Sequence, residues 1–240
     1  MKLLPSYFNM LLVASLATAC VSSAQVPAAR GTQARRVCAG RTVASDAELG
    51  NFKGCSQVIG DMTVTGSVTT LAPLASVGSV WGTLAVASTE RLQTLSGLGA
   101  LRAASNLVVS GNARLDDLSA LHGLQAVRNV TIASNPKLET LSGLEGLRSV
   151  EHLTIASNGL YTLHGLGNVY SVGELVLTDN HRLTCARGLA GVIEVHRVVV
   201  EHNPRLSGLV LPKLRNSPTF DSVAGNTLSP AEVSQLTAER

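Results

Sequence analysis

The chain has 240 residues, a formal charge of +3, and 45% hydrophobic, 15% charged and 3% aromatic residues. So apolar a composition excludes a disordered chain, so small a charge does not by itself mark a nucleic-acid binder, and so few rings argue against haem or flavin pockets. A core without large rings has to be built from many thin, evenly filled layers, and 22 Gly with 8 Pro are too few for collagen.

Residues 1–19 read as a secretory signal: Lys2, an apolar stretch through Leu11, Leu12, Val13 and Leu16, then Ala17-Thr18-Ala19. The run is too short for a membrane span. Cleavage after Ala19 leaves Cys20 first, as in a bacterial lipobox, where that Cys is acylated; the usual Leu is displaced by one place, to Leu16. Simple secretion is the alternative. Val21 follows the Cys rather than an inner-membrane retention Asp, which favours the outer membrane or cell surface. Residues 20–36 carry no periodicity and read as a flexible tether. Its Arg30, Arg35 and Arg36 are solvated or touch anionic head groups.

Disulfides persist in an exported protein. Cys38 and Cys55 close a short loop, worth about 3 kcal/mol on the chain-entropy model, and are read as a pair. Cys185 is left over as a partly buried thiol. Ser45-Asp46-Ala47-Glu48 opens a short helix over 45–52 that covers the front of the domain.

The rest of the chain is a repeat. Asn112, Asn135, Asn158, Asn180, Asn203 and Asn226 recur at spacings of 23, 23, 22, 23 and 23, with Thr89 and Ser67 in earlier, degenerate copies. Before each Asn lies a short period-2 strand, at 62–64, 84–86, 107–109, 130–132, 153–155, 175–177 and 198–200. After it comes period 3, as in Leu115, Leu118, Leu121, Leu124 and Val127, then Leu138, Leu141, Leu144, Leu147 and Val150. That period fits an extended or 3₁₀-like arc with every third side chain turned inward. Such a unit cannot bury its own face, but stacked units can. The fold class is therefore mainly β: a leucine-rich solenoid or β-helix of about seven coils over residues 37–240. The Asn column is structural, each amide satisfying turn backbone and bonding to its copy in the next coil. At the back, Ser229-Pro230-Ala231-Glu232 is a capping box, with Leu228, Val233 and Leu236 sealing the last coil.

Three phrases of the entry, Val37-Cys38-Ala39-Gly40, the stretch from Ala47-Glu48-Leu49-Gly50 to Lys53-Gly54-Cys55, and Val58-Ile59-Gly60-Asp61-Met62-Thr63-Val64, resemble the start of a receptor L-domain. Such domains occur in the ectodomains of insulin- and epidermal-growth-factor-type receptors and in fungal cell-wall proteins. The recurrent Asn-Pro-Lys/Arg-Leu phrase, at Asn135 and Asn203, is similar too. The resemblance covers residues 37 to about 230. It implies a right-handed single-stranded β-helix, a Cys pair stapling the N-terminal cap, and a binding or structural role without catalysis. The Cys-rich module and kinase part of animal receptors are missing, so receptor signalling is not carried over. A leucine-rich-repeat protein-binding horseshoe is the rival, since Leu153-x-Ile155-x-x-Asn158-x-Leu160 matches that consensus.

β-Helices also include polysaccharide lyases and hydrolases, which need clustered carboxylates, a metal or a basic catalyst on one face. Asp116-Asp117 is the only vicinal acidic pair, and its side chains diverge on an extended segment. Asp179 and His202 lie one coil apart, without a nucleophile nearby. No Gly-x-Ser-x-Gly elbow, phosphate loop or metal-ligand spacing is present in the sequence. The expectation is a non-enzymatic protein without cofactor or metal. Its clearest surface feature is a basic column, Arg91, Arg114, Lys137, Arg182 and Arg205, beside a partly acidic one of Gln93, Asp116 and Glu139. The column is either a locally neutralised face or a ridge for an anionic glycan or phospholipid. The flat outer strand face, with Val108, Val176 and Val199, is a second candidate for a partner. Together these readings give an envelope lipoprotein, held to the membrane by its anchor, that recognises or scaffolds a protein or glycan at the cell surface and does not bind nucleic acid. A carbohydrate-active β-helix enzyme is the alternative.

Overall fold

The computed structural model describes residues 35–228, except 208, 210, 212, 213, 216 and 217. The leader with Cys20, the tether up to residue 34, and the capping-box helix expected beyond residue 228 lie outside the described residues.

Eleven strands form one parallel sheet: β1 (Arg36–Ala39), β2 (Thr42–Val43), β3 (Cys55–Ile59), β4 (Met62–Gly66), β5 (Ser79–Thr89), β6 (Ala103–Ser110), β7 (Ala126–Ala133), β8 (Ser149–Ala156), β9 (Ser171–Thr178), β10 (Glu194–Glu201) and β11 (Thr219–Ala224). The sheet order is β1-β3-β5-β6-β7-β8-β9-β10-β11, with β2 and β4 pairing alongside. Each strand bonds to its counterpart one coil on, so the chain winds as a β-solenoid of about 8 turns. All seven expected triplets are in strands. The structure adds β1–β3 at the front and β11 at the back, so the first layer is strand, and Arg36, placed in the tether, already belongs to β1.

β-Branched and Leu side chains alternate along the strands and stack by register. Leu84, Leu107, Val130, Leu153, Leu175 and Val198 make one inward column, and Val86, Val109, Ile132, Ile155, Leu177 and Val200 the next. The period-3 arcs supply the opposite wall, with Leu115, Leu118, Leu121 and Leu124 fully or almost fully buried and short 3₁₀ turns such as Ser119–Gly123 setting the pitch. One continuous core runs from Val43 to Leu211. Phe52 is the only ring among its buried members, so the layers are as thin as the composition demands.

The helix α1 (Asp46–Leu49) runs into a 3₁₀ turn, Gly50–Phe52, in the connection from β2 to β3. Ser45 caps it by accepting from the Glu48 N–H, and the Glu48 carboxylate accepts from the Ala44 N–H at 2.6 Å. Leu49 and Phe52 turn into the core. A disulfide joins Cys38 on β1 to Cys55 at the start of β3, with Cα atoms 6.0 Å apart, and Cys185 is a free thiol.

Just before each Asn, and before Thr89 in an earlier copy, the chain turns sharply through the left-handed region: φ is 52° at Ser88, 56° at Ser134 and Ser157, 57° at Asp179 and 53° at His202, with Gly at the same place in other coils. The turn aims the Asn side chain inward, and all six amides join into a ladder. The Asn135 amide donates to Val109 O and Ala133 O, both at 3.0 Å, and to Asn158 Oδ1 at 3.1 Å. Its own Oδ1 accepts from the Asn112 backbone N–H at 3.2 Å and side-chain amide at 3.1 Å. The pattern repeats to Asn226, and Thr89 opens it by donating its hydroxyl to Asn112 Oδ1 at 2.6 Å. Only a planar amide offers donor and acceptor at once in this geometry, which is why Asn recurs.

Candidate functional site

The basic column is a consequence of the core. Leu92, Leu115, Leu138, Leu183 and Leu206 take inward seats, so the residue before each must point out. Arg91, Arg114, Lys137, Arg182 and Arg205 are all exposed. They fall at one place on the arc, neighbours separated by roughly one strand spacing of about 4.8 Å except Lys137 and Arg182, which lie two coils apart. The neighbouring column of Gln93, Asp116 and Glu139 stacks beside them, the Asp116 N–H donating to Gln93 O at 3.0 Å. Among the described residues no ion pair joins the two columns. Local neutralisation of the basic column is therefore not made by direct contact among the described residues.

The file is interrupted once. The coil at Asn158 is one residue short, and Gly159-Leu160 replaces the usual three-residue phrase. A methyl group on Gly159 would overlap the Pro136 carbonyl, so this coil lies close against its neighbour and has no room for an outward cation. Leu160 takes the inward seat and Tyr161 continues the acidic column, its N–H donating to Glu139 O at 3.0 Å. The missing residue leaves a depression of about 490 Å³ lined by Asp116, Pro136, Lys137, Glu139, Thr140 and Arg182. On its wall the Arg182 guanidinium rests over the Tyr161 ring, 4.1 Å from its centroid, a cation–π contact that fixes this cation in place. Two cations, two carboxylates and a hydroxyl thus converge on one notch, a set that suits a polar or anionic ligand with several oxygens.

A second polar file leaves no obvious trace in the sequence. The residue six places before each ladder position is Thr83, Asn106, Asn129, His152, Glu174 and Arg197, and these are register partners on successive strands. Asn106 donates to Thr83 Oγ1 at 3.1 Å and Asn129 to Asn106 Oδ1 at 2.8 Å. His152 Nδ1 meets Glu174 Oε2 at 3.0 Å, Glu174 Oε1 meets Arg197 at 3.1 Å, and Arg197 also grips Asp221. Hydrogen bonding and charge from Asp221 hold the Arg197 guanidinium even more firmly protonated than usual. The buried Asn129 Oδ1 is left without a donor between the two halves of the file.

The residues weighed for catalysis are dispersed. Asp117 accepts from the N–H and hydroxyl of Ser119, both at 2.7 Å, while Asp116 faces the notch. Asp179 and His202 do meet, at 3.8 Å, as an exposed pair. Cys185 lines a depression of about 600 Å³ opened by Gly165, Gly167 and Gly188, with His164 and Arg187 on its rim. Among the described residues no three His, Cys, Asp or Glu side chains gather as a metal-binding group, and no helix is long and apolar enough to cross a membrane. The outer strand face, Thr63, Ala85, Val108, Thr131, Thr154, Val176 and Val199, is half-buried throughout. No family model matches the chain, and no curated protein is similar to it in sequence.

Proposed function

We propose that this is a non-catalytic cell-envelope lipoprotein, acylated at Cys20, whose solenoid is a right-handed receptor L-domain-like β-helix with helical caps and serves as a surface recognition or scaffolding module. The observation that carries the reading is the file of exposed cations without ion-pair partners among the described residues, Arg91, Arg114, Lys137, Arg182 and Arg205, broken by the notch between Lys137 and Arg182. A linear anionic glycan lying along the file gains many weak contacts at once, and the notch admits one substituent. Such binding weakens steeply as salt screens the charges. The test reverses Arg114, Lys137 and Arg182 together and measures retention on an immobilised anionic glycan at low and moderate salt. The wild-type protein is retained at low salt only and the triple variant at neither; equal retention of both refutes the reading.

One observation favours a second reading. Asp116 and Glu139 come from adjacent coils and line the same notch, as a carbohydrate-active enzyme would require. Turnover of any acidic or neutral polysaccharide that is abolished by Glu139→Gln would establish catalysis in place of recognition.

A further inference from the structure

We infer that the front of the solenoid, around Trp81, lies on an anionic phospholipid surface. The inference extends the lipid-anchor reading and rests in part on it.

Trp81 is the only tryptophan of the chain, and in a protein this poor in rings it stands outside the core, 66% exposed. It is not isolated. Ala39, Ile59 and Trp81 are register partners on β1, β3 and β5, side by side on the outward face. Ile59 is 58% exposed, and Val37, two residues before Ala39 on the same face, is 49% exposed. Past Trp81 the surface continues as a shallow groove of about 350 Å³ floored by small residues, Ala103, Ser105 and Ala126, with Arg128 at its far side. The apolar surface therefore spans the first layers of the sheet and includes its terminal strand. Scattered exposed apolar side chains are ordinary, but a contiguous patch of this kind marks an interaction surface.

Two features identify what covers it. The first is charge. Arg36 and Arg41 line a depression together with Val37 and Ala39, and Lys53 is exposed beside them, its carbonyl accepting from Arg36 at 2.6 Å. Arg41 is held over the Phe52 ring at 5.4 Å. Of the acids nearby, Glu151 faces Arg128 at 3.6 Å, and Asp61, which accepts from the Thr83 N–H at 2.6 Å, is outnumbered by Arg36, Arg41 and Lys53. An apolar patch with an amphipathic ring, rimmed by arginine and lysine, matches the head-group region of an anionic bilayer, where Trp prefers to sit and cations are attracted. The second feature is where the described chain begins. Arg35 adjoins β1 at this same end, and residues 21–34 separate it from Cys20, a reach of at most about 50 Å when fully extended. An anchor at Cys20 holds this end within that reach of the bilayer. The anchor then holds the molecule at the bilayer, and the patch sets which face of its front lies on it.

Because Trp81 is the sole tryptophan, its fluorescence reports on the patch directly. The protein is purified as the cell exports it, its N-terminal mass is measured, and it is mixed with vesicles of three parts phosphatidylethanolamine to one part phosphatidylglycerol, with and without brominated acyl chains. The expected result is emission shifted to shorter wavelength and quenched by the brominated lipid. Both effects are lost in Ile59→Ser/Arg36→Glu, two exposed positions whose change leaves the core intact. If the exported protein is unacylated, the anchor reading fails, but the shift on vesicles still upholds the patch; Arg36→Glu then lowers the bound fraction about fivefold or more. If the protein is acylated and floats with the vesicles while Trp81 emission is unshifted and unquenched, the patch inference is overturned and the anchor stands. A Trp81 shift produced by a soluble glycan and not by vesicles also overturns it.

Discussion

Replacing Asn135 by Ala removes one rung from the middle of the amide ladder. Four of the lost hydrogen bonds are buried: those from the Asn112 backbone and side chain at 3.2 and 3.1 Å, and those to Val109 O and Asn158 Oδ1 at 3.0 and 3.1 Å. At about 0.5–1.5 kcal/mol net for each, with a buried backbone N–H left without an acceptor, the expected loss is about 3–5 kcal/mol. Asn226, at the end of the ladder, is half-buried, and its bonds to Val200 O, Ala224 O and Asn203 are partly solvated. Asn226→Ala should therefore cost about 1–2 kcal/mol. Asn135→Asp keeps the acceptor but turns a carboxylate toward Asn158 Oδ1 and two carbonyls, so it should be at least as damaging as Ala at neutral pH. Urea unfolding followed by circular dichroism gives all three values. If Asn135→Ala and Asn226→Ala fall within about 1 kcal/mol of each other, the ladder is not a cooperative support of the coils, and the Asn recurrence needs another cause.

Leu144 is 0% exposed, so Leu144→Asp buries an unpartnered carboxylate and unfolds the domain, while Lys137→Asp changes stability by less than about 1 kcal/mol; equal thermal shifts would show that the inward register is misassigned. Ser134, at φ 56°, should tolerate Gly with little change, whereas Ser134→Val costs about 1–3 kcal/mol, measured by the same urea titration. Removing the Cys38–Cys55 bridge, whose residues are 17 apart in sequence, should cost about 3 kcal/mol, read as the difference between oxidised and reduced protein, with mass mapping leaving Cys185 free. Asp46 accepts from the Thr69 hydroxyl and N–H and from the Thr70 N–H, which lowers its pKa. A depressed carboxylate stabilises the folded state above its unfolded pKa and ceases to do so as pH falls through the lower folded value. Amide exchange at Thr69 should therefore accelerate below the ordinary aspartate range in the wild type, and Asp46→Asn should abolish that step.

The strands, the arcs and the ladder were legible because one physical requirement, an inward side chain at every second or third residue, leaves a direct mark in the sequence. β1 and β2 left no such mark. They are a single layer broken at Gly40, where a methyl group would press into the Gly60–Asp61 backbone of the next coil, and each piece is too short for its period to register. The file from Thr83 to Arg197 is equally regular in spacing but changes residue type at almost every coil, so a search for like residues passes over it; its logic is donor to acceptor, not identity. The notch could be suspected from the 22-residue spacing. That Tyr161 and Arg182 would meet across it depends on the contraction of one coil, which spacing alone does not express. Trp81 carries no signal in the sequence for a different reason: composition sets what the core lacks, and says nothing of where a lone ring goes.

The coils are joined to one another by hydrogen bonds that run along the stacking direction, both in the sheet and in the Asn ladder. Tension between the two ends of the chain therefore loads these bonds in series, one layer after another, and not all together as in shear. The Cys38–Cys55 crosslink locks the first layer to the second, whereas among the described residues no crosslink holds β11, the last strand in the order. Force applied at the far end while the front is held would draw the solenoid out from the back in steps, each coil of 22 or 23 residues releasing about 75–85 Å of chain. The same stacking that makes the body stiff in compression gives it the force response of a zip, yielding by lengthening while its held end stays folded.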